Sequence, residues 1–351
     1  MLYLYLLKQS LNHTKSHRKM IRVANETYNV EEVCYDAQHV QEVVNAIEKG
    51  FDKYFDKFIE TKAGTISKGN NFAKFQTSFN VVVKQKKVDY ALNFKEIMSE
   101  SISKFLDDKT DNRQSYIDIF NLDGIEEYED GDECAFKTVL RDKCPIIRKT
   151  LKAPAKELDK YRLDFKYSNP NDLLAVTYNL CLFGEDYQKE YDEKEYDSIS
   201  SYEDFQMQDL DTDDYTVYGV IGGGIKSHML YKVWPHIFSN RSQTAMWALW
   251  FLTKLNTFNC RYGSEFLMFD TDNGSLYQHN YFYPYELFHY YAFCVYKMLQ
   301  NKMSKYGVVI DPNYRFTIVD TFFEFVSNVE ENKKEMNDAT AKIKNRENYY
   351  A

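Results

Sequence analysis

The chain has 351 residues, 44% hydrophobic and 28% charged, with a formal net charge of −9. Its 13 glycines and 6 prolines make about 5% of the chain, against a usual ~12%. That balance excludes a collagen-like, linker-rich or low-complexity protein, and the hydrophobic fraction excludes a wholly disordered one.

The charge is unevenly spread. Thirteen acids against two lysines give residues 185–214 a net charge of −11, and seven acids with no base give residues 123–133 a net of −7. Once these are set aside, the remaining 310 residues carry +9. The body of the protein is therefore basic, and both acidic stretches are expected as surface segments. The six cysteines are far apart and form no C-x-x-C pair, as expected of reduced thiols in the cytoplasm. Aromatic residues reach 17%. That matches the codon bias of an AT-rich genome as well as a ring-filled core.

At the N-terminus, Met1–Leu7 resembles a secretory apolar region. It has no basic residue before it and no small-residue cleavage site after it. Residues 1–19 are read as a flexible extension. The longest apolar run, Ala245–Leu252, is far short of the ~20 residues of a membrane span. No membrane partner is expected.

Residues 20–184 are expected to form an N-terminal α+β domain. Val40, Val43, Val44, Ile47, Phe51, Tyr54, Phe55 and Phe58 recur at helical spacing and predict a helix over Asp36–Glu60. Phe75–Val83 and Val88–Phe94 alternate around a polar turn and predict a β-hairpin. A helix over Lys95–Asp107 and a short strand over Tyr116–Phe120 follow. Residues 135–166 hold ten bases and four acids, broken by Pro145 and Pro154 into short helical pieces. Asn169-Pro170 starts the next helix, which runs to Gly184. The acidic residues 185–214 show no helical stripe and are read as a mobile connection.

Residues 215–335 are expected to form a helix-rich C-terminal α+β domain, and 336–351 a charged tail. Tyr215–Ile221 reads as a strand leading into Gly222-Gly223-Gly224 and a helix through Lys232. The nearly all-apolar helix over Arg241–Leu255, capped by Ser239 or Asn240, belongs in the core. A second hairpin is expected over Glu265–Asp270 and Ser275–Tyr281, then a long helix from Pro284 to near Gly307. Tyr314–Val319 reads as a strand, with a helix from Asp320. The expected class is α+β, helix-dominant, with short β-hairpins.

Three groups of residues carry candidate chemistry. The glycine turn, with Lys226 and Ser227, has the order strand, turn, helix, in which backbone amides cradle a phosphate. Ile225 stands where a nucleotide P-loop requires glycine. Arg241 is a candidate electrophilic clamp, and His228 or His236 a candidate acid–base group. The basic stretch offers Lys137, Arg141, Lys143, Arg148, Lys149 and Lys152 to phosphates, with Tyr161 and Tyr167 placed to stack on bases. The aromatic run Tyr281–Tyr285, with Phe288, Tyr290, Tyr291 and Phe293, is either core or a partner interface. Glu286 and His289 have the i, i+3 spacing of a di-iron ligand pair, but no second pair exists. No residue pattern names a cofactor or a metal.

Two functional readings emerge. The preferred one is a non-catalytic protein that binds nucleic acid or a protein partner through the basic stretch or the aromatic C-terminal surface. The alternative is an enzyme acting on a phosphate-containing substrate at the glycine turn. In the first reading the acidic stretches cover the basic surface, so deleting 185–214 is expected to raise nucleic-acid affinity.

Overall fold

The computed structural model describes residues 21–23, 26–28, 32–61, 89–129, 131–256, 258, 269–270, 277–278 and 283–347. The 1–19 extension, the first strand and turn of the 75–94 hairpin, the turn of the second hairpin and His279 lie outside these residues. Asp36 caps the first long helix, α1 (Ala37–Glu60), by accepting the Gln38 amide at 2.8 Å. Its apolar stripe from Val40 to Phe58 is buried. Asp89 caps α2 (Tyr90–Asp107) through the Leu92 amide. The segment read as the second hairpin strand is therefore the first turn of a helix.

Short helices follow: α3 (Arg113–Ile119), α4 (Leu122–Glu126), α5 (Glu133–Lys143), α6 (Pro145–Lys152) and α7 (Asp159–Tyr167). The strand expected over Tyr116–Phe120 is helical, because Tyr116 and Ile119 turn to one buried face three residues apart. Asn169 and Pro170 start α8, which runs past Gly184 to Glu190 (Pro170–Glu190).

The acidic stretch is not a loose connection. After α8 it forms α9 (Glu193–Ser198) and three 3₁₀ turns at Glu203–Phe205, Gln208–Asp211 and Asp213–Tyr215. Tyr196, Tyr202, Phe205, Met207, Leu210 and Tyr215 all point into the core; between them Glu203, Asp204, Asp209, Asp213 and Asp214 are exposed, while Asp197 and Asp211 turn to Arg315 and to the Tyr285 amide. Each turn restarts the phase of the chain, so the anchors follow no single period.

The last third holds α10 (Gly223–Val233), α11 (Gln243–Leu252, capped by Ser242), α12 (Tyr285–Ser304) and α13 (Arg315–Glu347). Tyr215–Ile221 makes a 3₁₀ turn and one isolated bridge, Val217 to Ile221, instead of a strand. The strand expected over Tyr314–Val319 is the start of α13. There Phe316, Thr317, Ile318 and Val319 are all buried, so no one-sided stripe marks the helix. α11 is buried between α1 and α13, as its all-apolar sequence demands. Gly50 lets α1 approach the end of α11, because a Cβ there would meet the Leu252 carbonyl at 1.9 Å. α1, α2, α12 and α13 pack around this centre, and α3, α5, α8 and α10 pack beside it. One continuous buried cluster runs from Cys34 to Val329.

The α+β class is overturned. Among the described residues the only ladders are β1 (Ile21–Val23) with β2 (Glu26–Tyr28) and β3 (Phe269–Asp270) with β4 (Tyr277–Gln278). Two-stranded pieces this short are not independently stable sheets, and the buried cluster of the described residues is built on helices. Among the described residues no helix is long and apolar enough to cross a membrane.

Candidate nucleic-acid interface

Two prolines shape the basic stretch. Pro145 opens α6 and holds Cys144 extended, which ends α5; Pro154 follows the extended Ala153, which ends α6. The three helices α5, α6 and α7 therefore change direction within a short length of chain. Phe136, Leu140, Ile147 and Phe165 anchor them to the core. Bases sit in each last turn, namely Arg141 and Lys143, Lys149 and Lys152, and Lys166. There they complement the carbonyl ends of the helices.

Between the three helices lies a groove of about 710 Å³. Lys137, Arg141, Arg148, Lys152, Arg162 and Lys166 line it, with Asp142 as the only carboxylate. Hydrogen bonds pre-position several of these cations. Lys137 Nζ donates to the Ser168 carbonyl at 2.6 Å and to that of Lys166 at 3.1 Å. Arg162 donates to the Ala153 and Ala155 carbonyls and to Asp159 Oδ1. Arg141 grips Asp142 with two 2.8 Å bonds, yet both side chains are about half exposed. Such a pair is worth little in water and opens readily to a phosphate. The Lys166 ammonium sits 5.2 Å from the ring of Tyr167, which does not line the groove and is 75% exposed.

Four of the six sequence-predicted cations thus converge. Lys143 and Lys149 are exposed but do not line the groove. Arg162 and Lys166 join from α7, and only the fold of the three helices brings them in. Tyr161 is excluded as a stacking platform because its hydroxyl is buried, whereas Tyr167 is open. No residue of 185–214 lines the groove, so the expectation that the acidic stretch covers it is corrected. Its aromatic anchors hold that stretch against α8 and α12 instead.

The glycine turn does not form the open cradle of the enzyme reading. Gly222 precedes α10 in extended backbone, and Gly223 and Gly224 begin the helix. Lys226 is buried, and its ammonium donates to the Leu210 carbonyl and, at 2.9 Å, to Thr216 Oγ1. Burial pushes it down to about 8. Ser227 Oγ donates to the Gly224 carbonyl and accepts the Arg241 amide. Arg241 is 1% exposed and lies against Gly223.

The histidines are elsewhere. His228 bonds Asp111 and Asn240, and His236 lies edge-on to Tyr191. His289 is enclosed by Tyr196 and Ser239, so the Glu286–His289 spacing serves packing. Lys226, Arg241 and a histidine therefore share no common pocket. Of the aromatic run, Tyr283, Tyr285, Phe288, Tyr291 and Phe293 are core, all at most 1% exposed; Tyr290 is half-buried, and Tyr281 and Phe282 lie outside the described residues. Among the described residues no three His, Cys, Asp or Glu side chains gather to hold a metal. Compared with protein-family models, curated proteins and solved structures, the chain matches none.

Proposed function

We propose that this chain is a non-catalytic nucleic-acid-binding protein that takes the phosphate backbone in the groove between α5, α6 and α7. The observation that carries this reading is the convergence of six cationic side chains from three helices on one groove, in a chain whose net charge is −9. A local basic field against an acidic whole attracts polyanions without making the entire surface sticky. The cations are strung along the groove walls, which suits a chain of phosphates. Tyr167, exposed beside Lys166, supplies a face on which a base can stack. The one carboxylate of the groove is tied to Arg141, and no histidine lines it. The groove therefore offers binding groups and no acid–base pair. The five described cysteines are free thiols, in keeping with a cytoplasmic location.

Fluorescence anisotropy with a labelled single-stranded oligonucleotide, read over a salt series, tests this. The full chain is expected to bind with an affinity that falls steeply as salt rises. The Arg148→Ala/Lys152→Ala/Lys166→Ala variant is expected to bind weakly and to lower the salt slope by about one for each phosphate contact removed. A triple variant with unchanged affinity and slope would remove the groove from the function.

A further inference from the structure

We propose that the N-terminus of α10 and the buried guanidinium of Arg241 form a second anion site, separate from the groove, that takes a phosphoryl group. Arg241 is almost wholly enclosed, yet among the described residues Nε and Nη1 have no hydrogen-bond partner. A buried guanidinium is normally paired, because an uncompensated charge away from water is strongly unfavourable. This one is aimed at the opening of a helix. A Cβ on Gly223 would come within 1.5 Å of Nη2, so glycine at 223 is required for the guanidinium to sit there. The residue that caps α10 is Gly222, which has no side chain to accept the first amides. A cation placed against the positive end of a helix is electrostatically unfavourable unless an anion lies between them.

The neighbouring charges leave that anion missing. Asp211 is the carboxylate that acts on Arg241, and it also faces Lys226. It accepts the Tyr285 amide at 2.7 Å and is bonded by the Glu286 amide, so it caps α12 as well. Among the described residues one carboxylate thus serves two cations and the N-terminus of α12, and no side chain caps the N-terminus of α10. Among the described residues the other groups acting on Arg241 are the phenols of Tyr283 and Tyr285. Burial holds both above their ordinary range, so they add no negative charge. A phosphoryl group supplies what is absent. Its oxygens match the fork of a guanidinium and the amides of a helix start together. Gly222 and Gly224 are partly exposed, and no described atom lies within 4 Å of the place of a Gly222 Cβ. That side is the way in.

Inorganic phosphate also has the chemistry to enter the basic groove, so the test uses the full chain carrying Arg148→Ala/Lys152→Ala/Lys166→Ala. Thermal unfolding and calorimetric titration are followed with sodium phosphate, against sodium chloride of equal ionic strength. A saturable rise in Tm with phosphate, and a smaller one with acetate, is expected. Adding Arg241→Met is expected to leave the anion-free Tm unchanged or higher and to abolish the saturable rise. Where Arg241→Met does not fold, Arg241→Lys keeps the charge without the fork and is expected to weaken phosphate by about tenfold. No saturable rise in the parent, or an equal one in both Arg241 variants, would overturn the site. Phenyl phosphate as the second ligand separates the sources. Binding as tight as inorganic phosphate assigns the site to a phosphomonoester, and exclusion assigns it to the free ion. Loss of oligonucleotide binding with this phosphate response retained would mark the two sites as independent.

Discussion

His228 Nε2 lies 2.9 Å from Asp111 Oδ2, joining α10 to the loop before α3 across 117 residues of sequence. The contact is the centre of a buried polar chain. Asp111 also accepts the Tyr116 hydroxyl and sits 3.3 Å from the ammonium of the buried Lys232. On its other side His228 meets Asn240, whose amide group donates to Asp320 on α13. A histidine read from sequence as a candidate acid–base group is therefore a strut between four parts of the fold.

Asp111→Asn removes the carboxylate and leaves Lys232, 3% exposed, with no other ion-pair partner among the described residues. Breaking one side of a buried pair costs about 3–5 kcal/mol. The urea midpoint at neutral pH is expected to fall accordingly with little change in slope. An unshifted midpoint would mean that the carboxylate does not hold this junction together. Burial pushes the Asp111 carboxyl up, but the hydrogen bond and charge of His228 and the charge of Lys232 win and hold it well below its usual range. Its contribution is therefore full at neutral pH and is lost as acid protonates it.

Acid sensitivity has a second source. Burial, helped by the charge of Arg315, pushes His289 down to about 3. Burial, with Arg315 and Arg113, pushes His236 down to about 4. Unfolding returns both to an ordinary value near 6.5, so below that the unfolded chain takes up two protons that the folded chain refuses. Asp320 works the other way, because burial raises it to about 6 and the folded state binds its proton first. Between about pH 4 and 6 these three groups leave a balance of one proton, worth a rise of roughly 1.4 kcal/mol of stability per pH unit, against which the raised carboxyls of Asp209 and Asp211 work. His236→Asn removes that surplus. Urea unfolding at several pH values is expected to give a line that rises more steeply with pH for the parent than for the variant. Parallel lines would show that His236 is not the source.

The sequence made the long helices legible wherever one face stayed wet. α1 shows its stripe and its Asp36 cap, and α8 its Asn169-Pro170 start; α11 has no wet face and is marked instead by its unbroken apolar run. It failed where burial or shortness erased the stripe. Phe316 to Val319 are buried all round, and α3 is two turns long, so both read as strands. Asp89 was a usable cap signal beside Tyr90, but the alternation of Tyr90, Leu92 and Phe94 outweighed it. The groove was half legible, because composition marks a basic stretch but not which cations face one another. Lys149 and Lys152 share one helix end, yet only Lys152 reaches the groove. Arg241 was legible as a cation but not as a buried one.

That division predicts unequal effects from equal charges. Lys143→Ala/Lys149→Ala removes as much positive charge as Arg148→Ala/Lys152→Ala. The first pair lies outside the groove and the second lines it. Oligonucleotide affinity at moderate salt is expected to fall several-fold more for the second pair, since contact charges release counterions and distant ones are screened. Equal losses would mean that net charge, and not the groove, sets binding.

In the proposed interface Tyr167 is the residue placed to stack on a base. It is 75% exposed, so Tyr167→Ala leaves stability almost unchanged. Loss of one stacked base is worth about 1–3 kcal/mol. Affinity for a single strand is therefore expected to fall by roughly 5- to 150-fold. Tyr167→Phe keeps the ring face and is expected to bind like the parent. A duplex, whose bases are already stacked, is expected to respond much less to Tyr167→Ala. If single strand and duplex lose affinity equally, the ring does not stack on a base.

The acidic stretch yields the sharpest reversal of a sequence-based expectation. Read as a detachable cover, residues 185–214 would release the basic surface on deletion. Their structure implies loss of the fold instead. Phe205 is fully buried, with ring centroids 4.5 Å from His289 and 5.3 Å from Phe293. Tyr196 donates its hydroxyl to the Ile237 carbonyl at 2.6 Å and packs under Arg315. Phe205→Ala alone is expected to cost about 3–5 kcal/mol, as read by urea unfolding. Charge is separated from packing by Glu190→Gln/Glu193→Gln, which neutralises two exposed acids and leaves every anchor in place. Neither acid lines the groove, so oligonucleotide affinity is expected to change by less than about twofold at physiological salt, where the screening length is ~8 Å. A large rise in affinity would mean that these acids compete for the groove after all. A change within that bound assigns the stretch to the core, with its charges serving to keep the outer face in water.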